Sequence, residues 1–234
     1  MDRLYIIIPA YNERANIRTV ACEWHRIAVA AGPESRLVII DDGSTDDTFQ
    51  ILTDLAEELP QLLPLTKANS GHGSTLLYGY HFAVEHQADY IFQTDSDGQT
   101  LPSEFQVFWD NRRNYDAIIG HRNHREDGLS RIFVTKTLKL VLRFIFRLNV
   151  VDANTPYRLM SGQLLKTYLP MIPDNFNLSN VLLTVLFLKN QENITFVPIT
   201  FRPRQGGVNS INFRKITKIG LQAVRDFREI KKQL

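Results

Sequence analysis

Asp95 and Asp97, one residue apart in QTDSDGQTLP and followed by Gln99, are the residues of this chain whose types and spacing most directly suggest chemistry. They close the apolar run ADYIF. Two carboxylates held this near each other resist ionising together unless a cation lies between them. Their oxygens and the amide oxygen of Gln99 are hard donors that suit Mg²⁺ or Mn²⁺ rather than Zn²⁺. Such ions usually keep waters and complete their shell with substrate phosphates. Asp, Ser and Gly also form ordinary turns, and taken alone the stretch reads as one. What favours a site is convergence: a second apolar run, RLVII, ends in Asp41 and Asp42.

The elements that would position these groups follow a strand-then-helix rhythm. LYIIIPA, RLVIIDDGS, LLPLTKA, DYIFQTD and YDAIIGH read as five strands. NERANIRTVACEWHRIAVAAG has helical spacing at Ile17, Val20, Trp24 and Ile27 and stops at Gly32. FQILTDLAEEL and SEFQVFWDNRR read as helices too, and the Gly-rich NSGHGSTL opens another, carrying Tyr78, Phe82 and Ala83. Asp46 and Asp47 suit the N-cap of the second helix. Gly71 and Gly73 would let backbone come close at a helix N-terminus, either to expose amides to a ligand or simply to pack; His72 between them reads as structural. This alternation predicts an α/β fold with a largely parallel sheet covered on both faces, and ligands outside the carboxyl ends of its strands. Those ends carry Pro9, Tyr11 and Glu13, then Asp41 and Asp42, then Asp95 and Asp97.

One domain over residues 1–234 is expected, with two halves of different character at 1–120 and 121–234. The net charge of +2 conceals segregation: the first half carries 8 basic and 18 acidic residues, the second 19 and 7. An anionic partner for the second half is one explanation, and mutual attraction of the halves another. Residues 131–148 predict a helix with Lys136, Lys139, Arg143 and Arg147 on one stripe and apolar residues elsewhere. It suits either an anionic lipid interface or a core helix with one solvated face. A second basic helix is expected over 211–234. Met1 runs straight into a strand pattern, so no leader is expected, and no apolar run reaches the roughly 20 residues of a membrane span. A single cysteine, Cys22, excludes an internal disulfide framework and fits a reducing, cytoplasmic setting. No base-stacking module accompanies the positive charge, which argues against nucleic acid.

Seven motifs, IIIPAYNE, VIIDDGSTDDT, NSGHGSTLLYGY, DYIFQTDSDGQ, IIGHRNHR, DANTPYRLM and FRPRQGGVNS, occur in that order. Together they resemble the family-2 inverting glycosyltransferases of GT-A fold, closest to the branch of polyprenol-phosphate (dolichol-phosphate) mannosyl and glucosyl transferases. The resemblance runs from Leu4 to about Phe227 and implies a nucleotide-sugar-binding half at 1–120 and an acceptor half at 121–234. It implies that Pro9, Tyr11 and Glu13 line a base and ribose pocket, with Ile40 and Asp42 at the base edge. It implies that Asp95, Ser96, Asp97 and Gln99 hold the metal and diphosphate, and that Arg122 faces the sugar nucleotide and the acceptor phosphate. Arg131 and Thr135 match an arginine and a hydroxyl residue that bind the lipid phosphate in these enzymes, and Arg204 matches a segment that in relatives closes over the diphosphate. The loop between Arg122 and Arg131 is shorter than in the dolichol enzymes.

The reaction this implies is metal-dependent transfer of a hexose from a UDP- or GDP-sugar to polyprenyl phosphate, by a protein peripheral to the cytoplasmic face of a membrane. A hydroxyl acceptor would need a general base. Relatives that glycosylate sugar hydroxyls carry an acidic residue near NFNLSNVLLTVLFLK, whereas here no Asp or Glu lies between Asp174 and Glu192. Asp152 is the remaining candidate base, or else a buried aspartate ordering the turn after it. A sugar hydroxyl acceptor and a non-catalytic nucleotide-sugar-binding subunit are the alternatives. A nucleotidyltransferase would need a Gly-rich basic loop where PAYNERAN stands.

Overall fold

A computed structural model describes residues 2–122, 129–203 and Phe227, with the side chains of 129–137 outside the description. The five expected strands form: β1 (Leu4–Ala10), β2 (Arg36–Asp41), β3 (Leu62–Thr66), β4 (Tyr90–Gln93) and β5 (Ala117–Arg122). Between them run α1 (Ile17–Ala31), α2 (Thr48–Glu58), α3 (His72–Glu85) and α4 (Phe105–Asp110), the last preceded by a 3-10 turn at Pro102–Glu104. α5 (Leu129–Phe146) starts and ends two residues before the sequence expectation. The second half then supplies β6 (Arg158–Ser161), α6 (Gly162–Tyr168), α7 (Ser179–Lys189) and β7 (Ile194–Ile199). The expected C-terminal helix lies outside the described residues, apart from Phe227, which is helical and fully buried.

The sheet has seven strands in the order β3-β2-β1-β4-β6-β5-β7. It is parallel except for β6, which inserts antiparallel between β4 and β5. The reversal brings the segment leading into β6 to the functional edge: Gln93, at the end of β4, pairs with Arg158, the first residue of β6. Ala10 likewise pairs with Asp41, and Arg122 with Ile199. The carboxyl ends of β1, β2, β4, β5 and β7 and the amino end of β6 therefore share one edge.

Both faces are covered, which explains why β1 is buried at every position. Ile6, Ile8, Leu37, Ile39 and Phe92 pack in one layer with residues of α1, α2 and α4. Their alternates Ile7, Val38, Ile40 and Ile91 pack in the other with residues of α3, α6 and α7. α7 is apolar all round and buried from Ser179 to Phe187, as expected of a helix enclosed by the core. In the first layer the Trp24 ring lies 5.2 Å from Phe92 and 6.0 Å from Tyr157, and the Tyr157 hydroxyl donates to the Leu101 carbonyl at 3.0 Å. The aromatic core thereby holds the end of the acidic loop. No helix among the described residues is long and apolar enough to cross a membrane.

Candidate active site

The acidic loop joins β4 to α4 and is closed by a hydrogen bond between the Thr94 and Thr100 hydroxyls (2.6 Å). Within it, Gly98 takes a left-handed φ of 70°, and the Gln99 amide donates to Asp97 Oδ1 at 3.1 Å. Ser96 and Gln99 are buried, and the Asp95 side chain is 25% exposed. His72 Nε2 lies 3.1 Å from Asp95 Oδ1. Desolvation pulls the imidazole pKa down, but Asp95, and behind it Asp97 and Asp42, outweigh that and hold it above its ordinary value. The potential at this edge is thus one that draws in a cation.

The neighbouring loops are knitted to each other. The Asn12 amide donates to Ser44 Oγ (2.9 Å), and the Thr45 amide donates to Asn12 Oδ1 (2.8 Å). Asp46 accepts from the Thr48 and Arg14 amides, serving the helix start as expected, while Asp47 lies on the surface 4.0 Å from Arg14. Of the five residues expected at the base and ribose pocket, Tyr11 is the exposed one, at 44%. Pro9 and Ile40 are buried, with Ile40 in the core beside Gly79. The Glu13 carboxylate accepts from Asn16 Nδ2 at 2.9 Å. Asp42 accepts from Lys67 Nζ and from the Ser70 and Gly71 amides, both at 2.9 Å. Burial works to raise its pKa, but the Lys67 ammonium and these amides dominate and hold the carboxylate below its ordinary range. Asp42 is thus the clamp on the loop leading into α3. Gly71 gives its amide to that clamp, and Gly73 serves packing: a Cβ there would lie 2.4 Å from the main-chain oxygens of Phe176 and Asn177.

Arg122, at the end of β5, and Asp152, in the segment leading into β6, lie at the same edge of the sheet as the acidic loop. Arg122 donates from Nε to Asp152 Oδ2 (2.9 Å) and from Nη2 to Oδ1 (3.2 Å), while its guanidinium lies 5.2 Å from the Phe201 ring centroid. The pair is buried, the side chains being 14% and 7% exposed. Asp152 also accepts from the Asn154 amide at 3.3 Å, as an aspartate ordering the following turn would. Arg131 and Thr135 fall in α5, but their side chains lie outside the described residues, as does Arg204 entirely.

Residues 5–169 match the family described as glycosyl transferase family 2. This chain belongs to that family. It is 27% identical to the polyprenol monophosphomannose synthase of Mycolicibacterium smegmatis over 220 residues, covering 90% of this chain and 82% of the relative. It is also 27% identical to the undecaprenyl-phosphate mannosyltransferase of Micrococcus luteus, covering 94% and 95%. Among solved structures it resembles glucosyl-3-phosphoglycerate synthase from Mycobacterium tuberculosis, crystallised with Mn²⁺, uridine diphosphate and phosphoglyceric acid. The TM-score is 0.73 at 16% identity, covering 98% of this chain and 78% of the other. That likeness is one of fold, and the fold of this family-2 glycosyltransferase is GT-A.

Two residues inside the motifs, Arg158 and Tyr80, tie the transferase's site together in ways the motifs do not announce. Arg158 is fully buried and donates to the carbonyls of Ala153, Thr155 and Asn180 and to Thr184 Oγ1, fastening DANTPYR to the first turns of α7. Burial lowers its pKa. Tyr80 donates its hydroxyl to Gln93 Oε1 at 2.7 Å under the same edge. A basic residue opening a short apolar stretch is the available signal for Arg158; Tyr80 gives none. For a divalent cation, the fit rests on the donor set: Asp95 and Asp97 are oxygen donors in one turn, with His72 Nε2 3.1 Å from Asp95 Oδ1 at its border. Among the described residues no three His, Cys, Asp or Glu side chains converge. A cation would therefore draw on these two carboxylates, the Gln99 amide oxygen, and water or substrate oxygens.

Proposed function

We propose that this transferase moves a hexose from a UDP- or GDP-sugar to polyprenyl phosphate, with inversion and with a divalent cation, while bound peripherally to the cytoplasmic face of a membrane. The observation that carries the choice of acceptor is the commitment of Asp152 to Arg122. A carboxylate in a bidentate, buried ion pair is poorly placed to take a proton from a sugar hydroxyl. The first turns of α7 and the residues before them offer Asn177, Ser179 and Asn180 instead of an acid. An acceptor phosphomonoester needs no such base, because with a second pKa of about 6 it is already largely a dianion at neutral pH.

In this reading a phosphate oxygen attacks the sugar C1 from the face opposite the diphosphate. The new C1–O bond forms as the C1–O bond to the nucleoside diphosphate breaks, and the electron pair leaves with the diphosphate. Asp152 and Phe201 fix the Arg122 guanidinium, which on this reading meets the negative charge that gathers on the diphosphate, an electrostatic contribution that needs no reorganisation during the reaction. Asp95, Asp97 and Gln99 would hold the cation, whose chemistry when bound is to neutralise charge on the leaving diphosphate. The names of the Mycolicibacterium and Micrococcus relatives point to the same acceptor class.

α5 supports the membrane setting. It buries Leu142 and Phe146 and exposes Leu140 (54%) and Phe144 (75%) beside Lys139, Arg143 and Arg147. The test is an acceptor screen with radiolabelled UDP- and GDP-sugars and Mg²⁺ or Mn²⁺. A product on polyprenyl phosphate, labile to mild acid, is expected. Label appearing on a sugar hydroxyl acceptor instead would replace this reading by the alternative one.

A further inference from the structure

Gln99 is engaged twice by the segment that follows β7. Its Nε2 donates to the Arg202 carbonyl at 2.8 Å, and the Arg202 amide donates back to the Gln99 carbonyl at 2.8 Å. Two residues earlier, the Thr200 amide donates to both oxygens of Glu104 at 3.1 Å. Between these anchors sits Phe201, the ring that backs the Arg122 guanidinium. Residues 200–202 thus form a strap tied at each end to the chain from Gln99 to Glu104, with its middle against Arg122.

We propose that Gln99 is a positioning residue that couples occupation of the acidic loop to the placement of Arg122. Its amide has two ends of opposite chemistry. The end facing the Arg202 carbonyl must be the NH₂, because a carbonyl oxygen only accepts. The amide oxygen is then the end for a cation shared with Asp95 and Asp97. A cation on that oxygen polarises the amide and strengthens the N–H donated to Arg202, as outer hydrogen bonds orient and tune metal ligands generally. A loaded loop therefore tightens the strap, and the strap holds Phe201 against an arginine whose other side is fixed by Asp152. The cation half of this inference rests on the proposed metal-dependent function; the strap half does not.

The test follows hydrogen–deuterium exchange of the peptide covering 199–203, and Mn²⁺ binding from the free-ion paramagnetic resonance signal, in the full chain. Gln99→Glu keeps oxygen ligands but loses the donor and sets a carboxylate against the Arg202 carbonyl; Gln99→Ala loses both. Without metal, exchange of 199–203 should quicken about five- to tenfold in each variant, the loss of one net hydrogen bond. Mn²⁺ should bind Gln99→Glu at least as tightly as wild type and Gln99→Ala more weakly. Mn²⁺ should slow strap exchange in wild type but not in Gln99→Glu. Unchanged metal-free exchange in Gln99→Glu overturns the strap role. Mn²⁺ slowing Gln99→Glu as much as wild type, or binding lost equally in both variants, overturns the coupling. Failure of wild type to bind Mn²⁺ overturns the metal reading and the coupling with it, while the metal-free exchange still decides the strap. Glu104→Gln loosens the strap from its far end and leaves the Gln99 amide intact. Should the Gln99 variants fail to fold, Mn²⁺ must restore part of the protection lost in Glu104→Gln, and no restoration overturns the coupling.

Discussion

Replacing Asp152 by Asn separates a residue that holds Arg122 from one that takes a proton. The carboxylate and the guanidinium form two hydrogen bonds of 2.9 and 3.2 Å, and the side chains are 7% and 14% exposed, so solvent screens the pair little. Removing one partner of a buried ion pair costs about 3–5 kcal/mol, mostly by stranding the other charge. Asn keeps one acceptor and the side-chain shape, which brings the expected loss to about 2–3 kcal/mol, roughly the value of hydrogen bonds to a charged group. In a domain of this size that is a fall in Tm of about 4–12 °C. The released guanidinium moves off the position fixed by Phe201, and such a displacement near reacting atoms reduces kcat/KM by up to about 10²-fold. Urea unfolding and a pH–rate profile with polyprenyl phosphate as acceptor measure the two effects. A positioning role gives lower stability and an activity loss of the same size across pH. A general base instead gives a loss of about 10²–10⁴-fold that varies with pH, because the limb due to Asp152 vanishes from the profile, and that result would refute the argument whatever the change in stability. A further check is the pair Arg122→Met with Asp152→Leu, which should recover most of the stability and none of the activity.

Gly73→Ala places a methyl 2.4 Å from two main-chain oxygens that cannot rotate away, so overpacking of about 1–3 kcal/mol is expected in urea unfolding. At Gly71 a Cβ would meet Asn177 Oδ1 only at 3.5 Å, and the cost there comes from its φ of 92°; equal, negligible losses at both positions would contradict the packing assigned to Gly73. The depressed pKa of Asp42 makes its pairing with Lys67 a source of stability that is fully present above the ordinary aspartate value of 3.8 and lost as pH falls through the lower folded value. Lys67→Met should therefore destabilise the protein at pH 6 and converge with wild type in the acid range, and a penalty independent of pH would contradict that linkage. Phe144→Ser removes a ring that is 75% exposed, so stability should change by less than about 0.5 kcal/mol. Binding to anionic-lipid vesicles should nevertheless fall by about 10-fold or more as buried apolar area is lost. Vesicle binding that ignores both this change and added salt would remove α5 from the membrane contact.

Much of the architecture is legible in the sequence because strands covered on both faces must read as unbroken apolar runs, and helices between them must show a 3.6-residue period. β1 through β5 and their helices follow those rules. β6 does not, since it is four residues long and opens on Arg158, whose charge interrupts the apolar signal although it is satisfied by carbonyls in the core. Its insertion between β4 and β5 is a tertiary event that periodicity cannot encode. The acidic loop was legible for the same reason as the strands: a run of apolar residues ends there and turn-forming acids begin. What those acids touch was not. Lys67 reaches Asp42 across 25 positions, Arg122 reaches Asp152 across 30, and Gln99 reaches Arg202 across 103, separations at which only the fold decides who meets whom.

The segregation of charge along the chain can now be weighed against the ion pairs. If the acidic first half and the basic second half served to attract each other, Lys and Arg of one should pair with carboxylates of the other. Among the described residues the Lys and Arg pairs do the reverse. Arg3 with Asp89, Arg14 with Asp47, Lys67 with Asp42, and Arg112 and Arg113 with Asp2 all lie within the first half, and Arg122 with Asp152 within the second. The single pair that crosses, His81 with Asp174, joins a histidine of the acidic half to an aspartate of the basic one, opposite to the trend that mutual attraction would exploit. Lys139 and Arg143 on α5, and Arg147 one residue past its end with a left-handed φ of 59°, stand exposed near Leu140 and Phe144, so the helical stripe expected to include Arg147 stops short of it. On the function proposed above, these exposed cations, bordered by exposed apolar side chains, meet an anionic headgroup layer above an apolar one.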